Sequence, residues 1–322
     1  LREAMFAANS TIDGAIITFF EAGEYVVENA LPDVNVSSGS LTIEGEDKLT
    51  LVNGSGNTGI DGIRLLGPGN RIREATLVGF EAAIRISGSR ATGNIIEGCT
   101  IGSSGSSAKG AISRLNGYGI VIDDGASLNL VGGRTEVDRN IISGNVLDGV
   151  LITGGSTDNN IEGNFIGTDP TGQMEVQNGG NGILIDGATN NTIGGTASSA
   201  GNILSGNRFA GVELRGASTG NVIAGNRIGV AGDDETLIPN DEGIYIDGTG
   251  GASNNQIGSS LFSGRNLIGG NTTEGIYLLS SSNNTIQGNY IGLSSDFFTE
   301  VPNGSSGISL VGSSSNNSIG GT

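Results

Sequence analysis

Acidic side chains are the only titratable groups this chain carries in quantity: 33 Asp and Glu against 15 Lys and Arg, no His, and a single Cys at position 99. The missing His removes the usual general base and the commonest metal ligand. Acid–base work would then fall on carboxylates, and two adjacent pairs stand out, Asp123-Asp124 and Asp233-Asp234. Held about 5–9.5 Å apart in opposed environments, two carboxyls can serve as acid and base. In a turn or a surface loop the same pairs are merely solvated, so no catalytic residue is assigned. Arg64, Arg73 and Arg85 form a basic patch on early segments, with no carboxylate trio beside them in the pattern. Oxygen ligands on Gly-rich loops suit Ca²⁺, and Asp169, Asp233, Asp234, Glu235 and Asp296 lie on such loops. Only Asp233 and Asp296 share a register, four residues after Gly229 and Gly292, which makes them the Ca²⁺ candidates against a reading of solubilising charge. Cys99 reads as a small buried residue and excludes disulfides within the chain.

The elements that position these groups follow from a repeat. Asn-x-aliphatic recurs at Asn94, Asn129, Asn159, Asn191, Asn221, Asn255, Asn284 and Asn317, in steps of 35, 30, 32, 30, 34, 29 and 33 residues. A second Asn column runs through Asn140, Asn164, Asn202, Asn226, Asn266 and Asn289, with Cys99 in the Asn place of its first member. A third motif, Gly-(Ile/Val)-x-(Ile/Leu), places Ile120, Val150, Ile183, Val212, Ile244, Ile276 and Ile308 at the head of a short strand. Period-two alternation sends the aliphatic residues to one face of each strand. Three short strands per unit, separated by Gly, Ser, Thr and Asn turns, predict an all-β fold: a right-handed parallel β-helix, a three-sided β-solenoid of about nine to ten coils. Aligned Asn amides would hydrogen-bond from coil to coil as a structural ladder. Long loops alternate between two corners, so the true repeat is a pair of coils, with Ile120, Ile183, Ile244 and Ile308 spaced by 63, 61 and 64.

Residues 1–40 read as a cap with the first strands, and 41–322 as the paired-coil repeats. Leu1, Ala4, Met5 and Ala8 have helical spacing, predicting a short amphipathic helix that covers the open end of the solenoid. No comparable cap follows Thr322, and both ends look like cuts in a longer protein.

Outward positions of the first strand include Val121, Leu151, Leu184, Tyr245 and Tyr277, an apolar column on a flat, rigid face. A stripe of that length suggests a contact site unless flanking loops cover it. The two tyrosines could instead stack on sugar rings, beside Asp123, Asp186 and Asp247 in the next outward column. The net charge of −18 argues against a nucleic-acid partner, and no apolar run approaches membrane-spanning length.

Leu1-Arg2-Glu3-Ala4, Ala7-Ala8-Asn9 and Ile16-Ile17-Thr18-Phe19 resemble the end of the CSLREA domain of large secreted bacterial proteins. Asn191-Thr192-Ile193-Gly194-Gly195-Thr196 and Gly201-Asn202-Ile203-Leu204-Ser205-Gly206-Asn207 resemble the right-handed parallel β-helix repeats that accompany it. The resemblance implies export to the cell surface or medium of a bacterium or archaeon. Pectinase-like hydrolases of this fold use clustered Asp with a His, which this chain lacks. The expectation is therefore an exported, non-enzymatic structural or adhesive protein that presents a rigid solenoid, its partner being itself, as a homopolymer or lateral associate, or an extracellular polysaccharide. The alternative is a polysaccharide-binding or polysaccharide-degrading β-helix protein. No cofactor is implied beyond possible Ca²⁺.

Overall fold

The structure, a computed structural model, describes all residues except 12–13, 20, 36–39, 55–58, 104–114 and 322. Thr322, and with it the reading of an uncapped end, lies outside the described residues. The chain winds as a parallel β-helix. One side of the coil is a nine-stranded parallel sheet running from Ile63–Leu65 through Ala82–Ser87, Tyr118–Asp123, Val150–Thr153, Ile183–Asp186, Val212–Arg215, Ile244–Asp247 and Ile276–Leu279 to Ile308–Val311. The other two sides are stacked ladders of two- and three-residue strands. They join into one sheet because Leu41–Asn53 and Arg71–Val78 are long enough to run along both sides. Parallel crossovers of this kind wind right-handed, the hand that twisted strands favour.

Register follows the aliphatic pattern. Ile183 faces Val212, Val212 faces Ile244 and Ile244 faces Ile276, so like residues stack at every rung. Ile63, Ile84, Ile120, Ile152, Ile185, Leu214, Ile246 and Leu278 are all excluded from solvent in a single continuous core. Each such side chain stabilises the fold by roughly 1.5–3 kcal/mol before chain entropy is set against it. The helix Arg2–Asn9 covers the first coil with buried Met5 and Ala8, tied down by the Arg2 guanidinium donating to the Asn29 carbonyl (2.7 Å) and the Asn9 amide to that of Asp33 (2.7 Å). Among the described residues no helix is long and apolar enough to cross a membrane.

The corners are held by amides. From Asn94 to Asn317 each Asn Nδ2 donates to the Oδ1 of the next, at 2.9–3.4 Å. The column from Asn140 to Asn289 does the same at 2.8–3.1 Å, and the Cys99 amide caps it by donating to Asn140 Oδ1. The structure adds a third column that the sequence reading missed: Asn116, Asn145, Asn178, Asn207, Asn240, Asn271 and Asn303, linked at 2.9–3.0 Å. Its members alternate between short Gly-Asn turns and the far ends of long loops, so no fixed local motif marks them.

Close stacking leaves little room at the turns. A Cβ on Gly163 (φ +72°) would sit 1.8 Å from the Gly133 carbonyl oxygen of the neighbouring coil, whereas at Gly155 (φ +73°) nothing lies within 4 Å. Gly163→Ala is expected to destabilise by at least about 2–3 kcal/mol, and Gly155→Ala only by the left-handed strain of about 1 kcal/mol. Urea melts of the two variants check this; equal losses would show that backbone conformation, not coil spacing, sets the cost.

Candidate functional site

Arg64, Arg73 and Arg85 are not a free basic patch. Arg85 Nε meets Asp61 at 2.7 Å and Arg85 Nη1 meets Asp123 at 2.6 Å; Arg64 reaches Asp33 and Asp61, and Arg73 reaches Glu44, Glu74 and Glu97. Asp61 and Glu74 lie beside Arg64 and Arg73 in the sequence, but Asp33, Glu44, Glu97 and Asp123 come from other coils, so the full acidic set around the arginines was not visible there. Asp123 is thereby consumed in an ion pair, and its neighbour Asp124 sits in a left-handed turn accepting from the Ser87 hydroxyl, so the two do not form an acid–base dyad.

Asp233 and Asp296 are occupied by their own loops. Asp233 Oδ1 accepts from the Glu235 and Thr236 amides, and Asp296 Oδ1 from those of Phe298 and Thr299. Those amides, Thr236 first at Asp233 and Thr299 first at Asp296, hold both carboxyls below the ordinary carboxylate range. Asp169 serves its loop in the same way from a position two residues earlier, taking the Gln173 and Met174 amides. Register drift among these aspartates thus reflects two ways of closing one turn. Among the described residues no three His, Cys, Asp or Glu side chains form a group that could hold a metal ion. Cys99 is buried, and burial pushes its thiol up to about 12, leaving it unreactive.

The nine-stranded sheet carries the site. Its outer face is not a flat apolar stripe: Val121 is 1% exposed and Leu184 is 4% exposed, because loops and neighbouring side chains rise around them. Leu151, Tyr245 and Tyr277 remain half-buried, with the two tyrosine rings 5.3 Å apart and inclined by 32°. Around Leu151 and Leu184 opens a cleft of about 480 Å³, whose wall also includes Tyr118, Phe209 and Tyr245. It crosses five adjacent strands, on the order of 20 Å at the spacing of paired strands. Of the three aspartates in the second outward column only Asp186 lines it; Asp247 caps its own turn through Thr249.

At the floor, one side-chain amide joins two acids. Asn181 Nδ2 donates to Asp148 Oδ1 at 3.1 Å and to Glu213 Oε2 at 2.8 Å; its own main-chain N–H donates to Asp148 at 2.7 Å, and its Oδ1 accepts from the Ala210 amide. Two oxygens each about 3 Å from one nitrogen lie within about 6 Å of each other. Burial raises both carboxyls above their ordinary range, against the pull of Asn181 on Asp148 and of Arg215 and Asn181 on Glu213. Arg215 is itself held by Asp186 at 2.9 Å and lies 3.7 Å from Glu213. Burial also pushes the Tyr245 phenol up to about 12, with Asp247 and Glu213 adding to it. The arrangement sets two acids displaced toward their protonated forms on either side of one amide, beside an apolar, aromatic surface.

Sequence reasoning missed Asp148, Asn181 and Glu242, which occupy the position just before the Gly that opens each first strand. That column, Asp148, Asn181, Ala210, Glu242, Glu274 and Ser306, was the available signal. Glu213 lies on the same outward column as Leu184 and Tyr245, but nothing in the spacing linked it through Asn181 to Asp148.

Glu242 illustrates the cost of the cleft. Burial, then the adjacent Asp241, raise its carboxyl. An acid raised in the folded state favours folding below its unfolded value of about 4.3, and that contribution is lost as pH rises through the folded value. Glu242→Gln is therefore expected to raise Tm at pH 7 by roughly 1–2 °C, after allowance for solvent screening, and to give no gain below about pH 4. Thermal melts at the two pH values test the sign.

No protein-family model matches the sequence, and no curated protein does. Solved structures do match. The periplasmic alginate epimerase AlgG is similar over 96% of this chain and 83% of that one, with TM-score 0.54 at 14% identity. A point mutant of AlgG gives TM-score 0.60 at 15% identity over the same shares. The A-module of the Azotobacter vinelandii mannuronan C-5 epimerase AlgE4 is similar over 100% of this chain and 90% of that one, with TM-score 0.46 at 15% identity. At such identities the likeness is one of fold, the parallel β-helix. These findings correct the expectation of a non-enzymatic structural or adhesive rod: the AlgG structures, matched over 96% of this chain, are named as alginate epimerases, and the expected contact stripe is an acidic cleft.

Proposed function

We propose that this chain is an exported polysaccharide-active protein that binds a glycan along the cleft and cleaves it by acid–base chemistry at Asp148 and Glu213. The observation that carries the reading is the Asn181 amide shared by a buried carboxyl, Asp148, and a half-buried one, Glu213, at the floor of an aromatic-lined cleft. Pyranose rings present apolar C–H faces that stack on aromatic side chains, and Tyr118, Phe209 and Tyr245 supply such a surface beside Leu151, with Tyr277 extending it by one coil. In hydrolysis a protonated carboxyl donates to the glycosidic oxygen as that bond breaks, while a second carboxylate attacks the ring carbon, or takes a proton from the water that does, so that water is added across the bond. Glu213, raised by burial and reached by Arg215, is the proton donor; Asp148, held by two Asn181 N–H groups, is the second acid. The polysaccharide activity named for the AlgG structures, on the same fold, supports the substrate class. Export is supported by the periplasmic origin named for AlgG and by the resemblance of the first residues to the CSLREA type.

A screen of neutral and acidic polysaccharides for retardation in affinity gels and for new reducing ends tests the reading. Binding together with new reducing ends on at least one glycan is the expected result. Failure to bind any of them would refute the proposal; binding without cleavage would remove its catalytic half.

A further inference from the structure

The lining of the cleft is unbalanced in charge. Among the described residues Asp148, Asp186, Glu213, Asp241 and Glu242 face it against one lining cation, Arg215, and that guanidinium is already engaged by Asp186 and Glu213. Three of the acids, Asp148, Glu213 and Glu242, are displaced toward their protonated forms by burial, and at Glu213 and Glu242 neighbouring carboxylates add to the effect. A site that resists ionising its own carboxyls resists a ligand carboxylate more strongly, since a further negative charge enters the same poorly solvated space. Binding a polyuronate would require a free cation facing each acidic sugar, and the described lining offers none; Arg208 stands outside it, its guanidinium 5.7 Å over the Phe209 ring. We infer that the cleft takes a glycan without carboxylate or sulfate groups, either neutral or amino-bearing, and excludes polyuronates, in contrast to the substrate named for the AlgG structures. The inference rests on the polysaccharide reading above and narrows it.

What the lining provides instead suits hydroxyls and ring faces. Leu147, Leu151, Leu184 and Phe209 offer apolar contact, while the Tyr118 and Tyr245 phenols stay protonated well above neutral pH and can donate to sugar oxygens. Chemistry follows from the same charge balance. A glycan lacking a carboxylate next to the ring carbon has no acidified C–H to lose, so hydrolysis, in which water is added across the glycosidic bond, is the reaction left to Glu213 and Asp148.

The test is affinity electrophoresis and isothermal titration of the full chain with dextran, chitosan, alginate and polygalacturonate at low and moderate salt. Dextran or chitosan is expected to bind at least 10-fold more tightly than either polyuronate, dextran with little salt dependence and chitosan with affinity falling as salt is added. The double variant Asp241→Asn/Glu242→Gln is expected to narrow the gap by weakening the repulsion of alginate. Alginate or polygalacturonate bound as tightly as the other two would overturn the inference and leave the polysaccharide reading standing. No binding to any of the four would refute both.

Discussion

Glu213→Gln is expected to lower turnover of a bound glycan by about 10²- to 10⁴-fold with little change in KM, the range that a positioned proton donor contributes. The substitution is nearly isosteric. Its carboxamide oxygen still accepts from Asn181 Nδ2, now at 2.8 Å from Glu213 Oε2, and the strand Val212–Arg215 keeps its register with Ile183 and Ile244 on either side. What disappears is the exchangeable proton. The acidic carboxyl that burial raises is the group that sets the alkaline limb of a pH–rate profile, so that limb is expected to vanish from whatever residual activity remains. Asp148→Asn, which leaves Glu213 with a neutral neighbour, is expected to move the limb to lower pH, because removing a nearby negative charge makes Glu213 easier to ionise. Full turnover in Glu213→Gln with an unchanged pH profile would rule the residue out as the donor while leaving the cleft as a binding site.

Truncating one amide in the middle of a ladder is expected to cost about 3–5 kcal/mol. Asn191→Ala removes an acceptor that takes both the Asn159 main-chain N–H and its Nδ2 at 3.0 Å, and a donor that reaches Asn221 Oδ1 at 3.1 Å and the Ser156 carbonyl at 3.4 Å. The Asn159 side chain retains the Ala126 carbonyl, but its backbone N–H is left buried without a partner. Each such orphan costs about 1–3 kcal/mol, and the cavity adds to it. Because each coil contacts only its neighbours, the loss is expected to be local. Hydrogen exchange should accelerate in the coils carrying Asn159 and Asn221 and remain unchanged near Met5. Uniform acceleration along the whole chain would mean that the solenoid unfolds as one cooperative unit, and a loss under about 1 kcal/mol would mean that water replaces the missing amide.

Asn191 lies at a corner and Glu213 on the nine-stranded sheet, which itself meets two demands. Its inner face is uniformly aliphatic and tolerates no polar group, while its outer face accumulates acids that oppose folding at neutral pH, as Glu242 does. A site that lowers stability in this manner is a common correlate of function, since the unfavourable arrangement persists only where something else is gained from it.

The amino-acid sequence by itself determined the coil. Alternation of Ile, Val and Leu with polar residues, and Asn at intervals near 30, are local patterns, and local patterns dictate which residues point inward and how many strands make one turn. Two Asn columns were legible for the same reason, each lying two residues before an aliphatic anchor. The third was not, since Asn145, Asn207 and Asn271 alternate with Asn178, Asn240 and Asn303 at the ends of long loops, and only winding of the chain brings them into line. The cleft belongs wholly to the tertiary structure. Asp148, Asn181 and Glu213 come from three successive coils about 30 residues apart, and their meeting depends on how far each intervening loop stands away from the sheet. Protonation depends on the same packing, because an acid is raised only when its neighbours exclude water, and those neighbours are remote in the chain. Hence Tyr245 and Leu184 could be placed on the outer face from spacing alone, while the acids beside them acquired a role only when the coils were stacked.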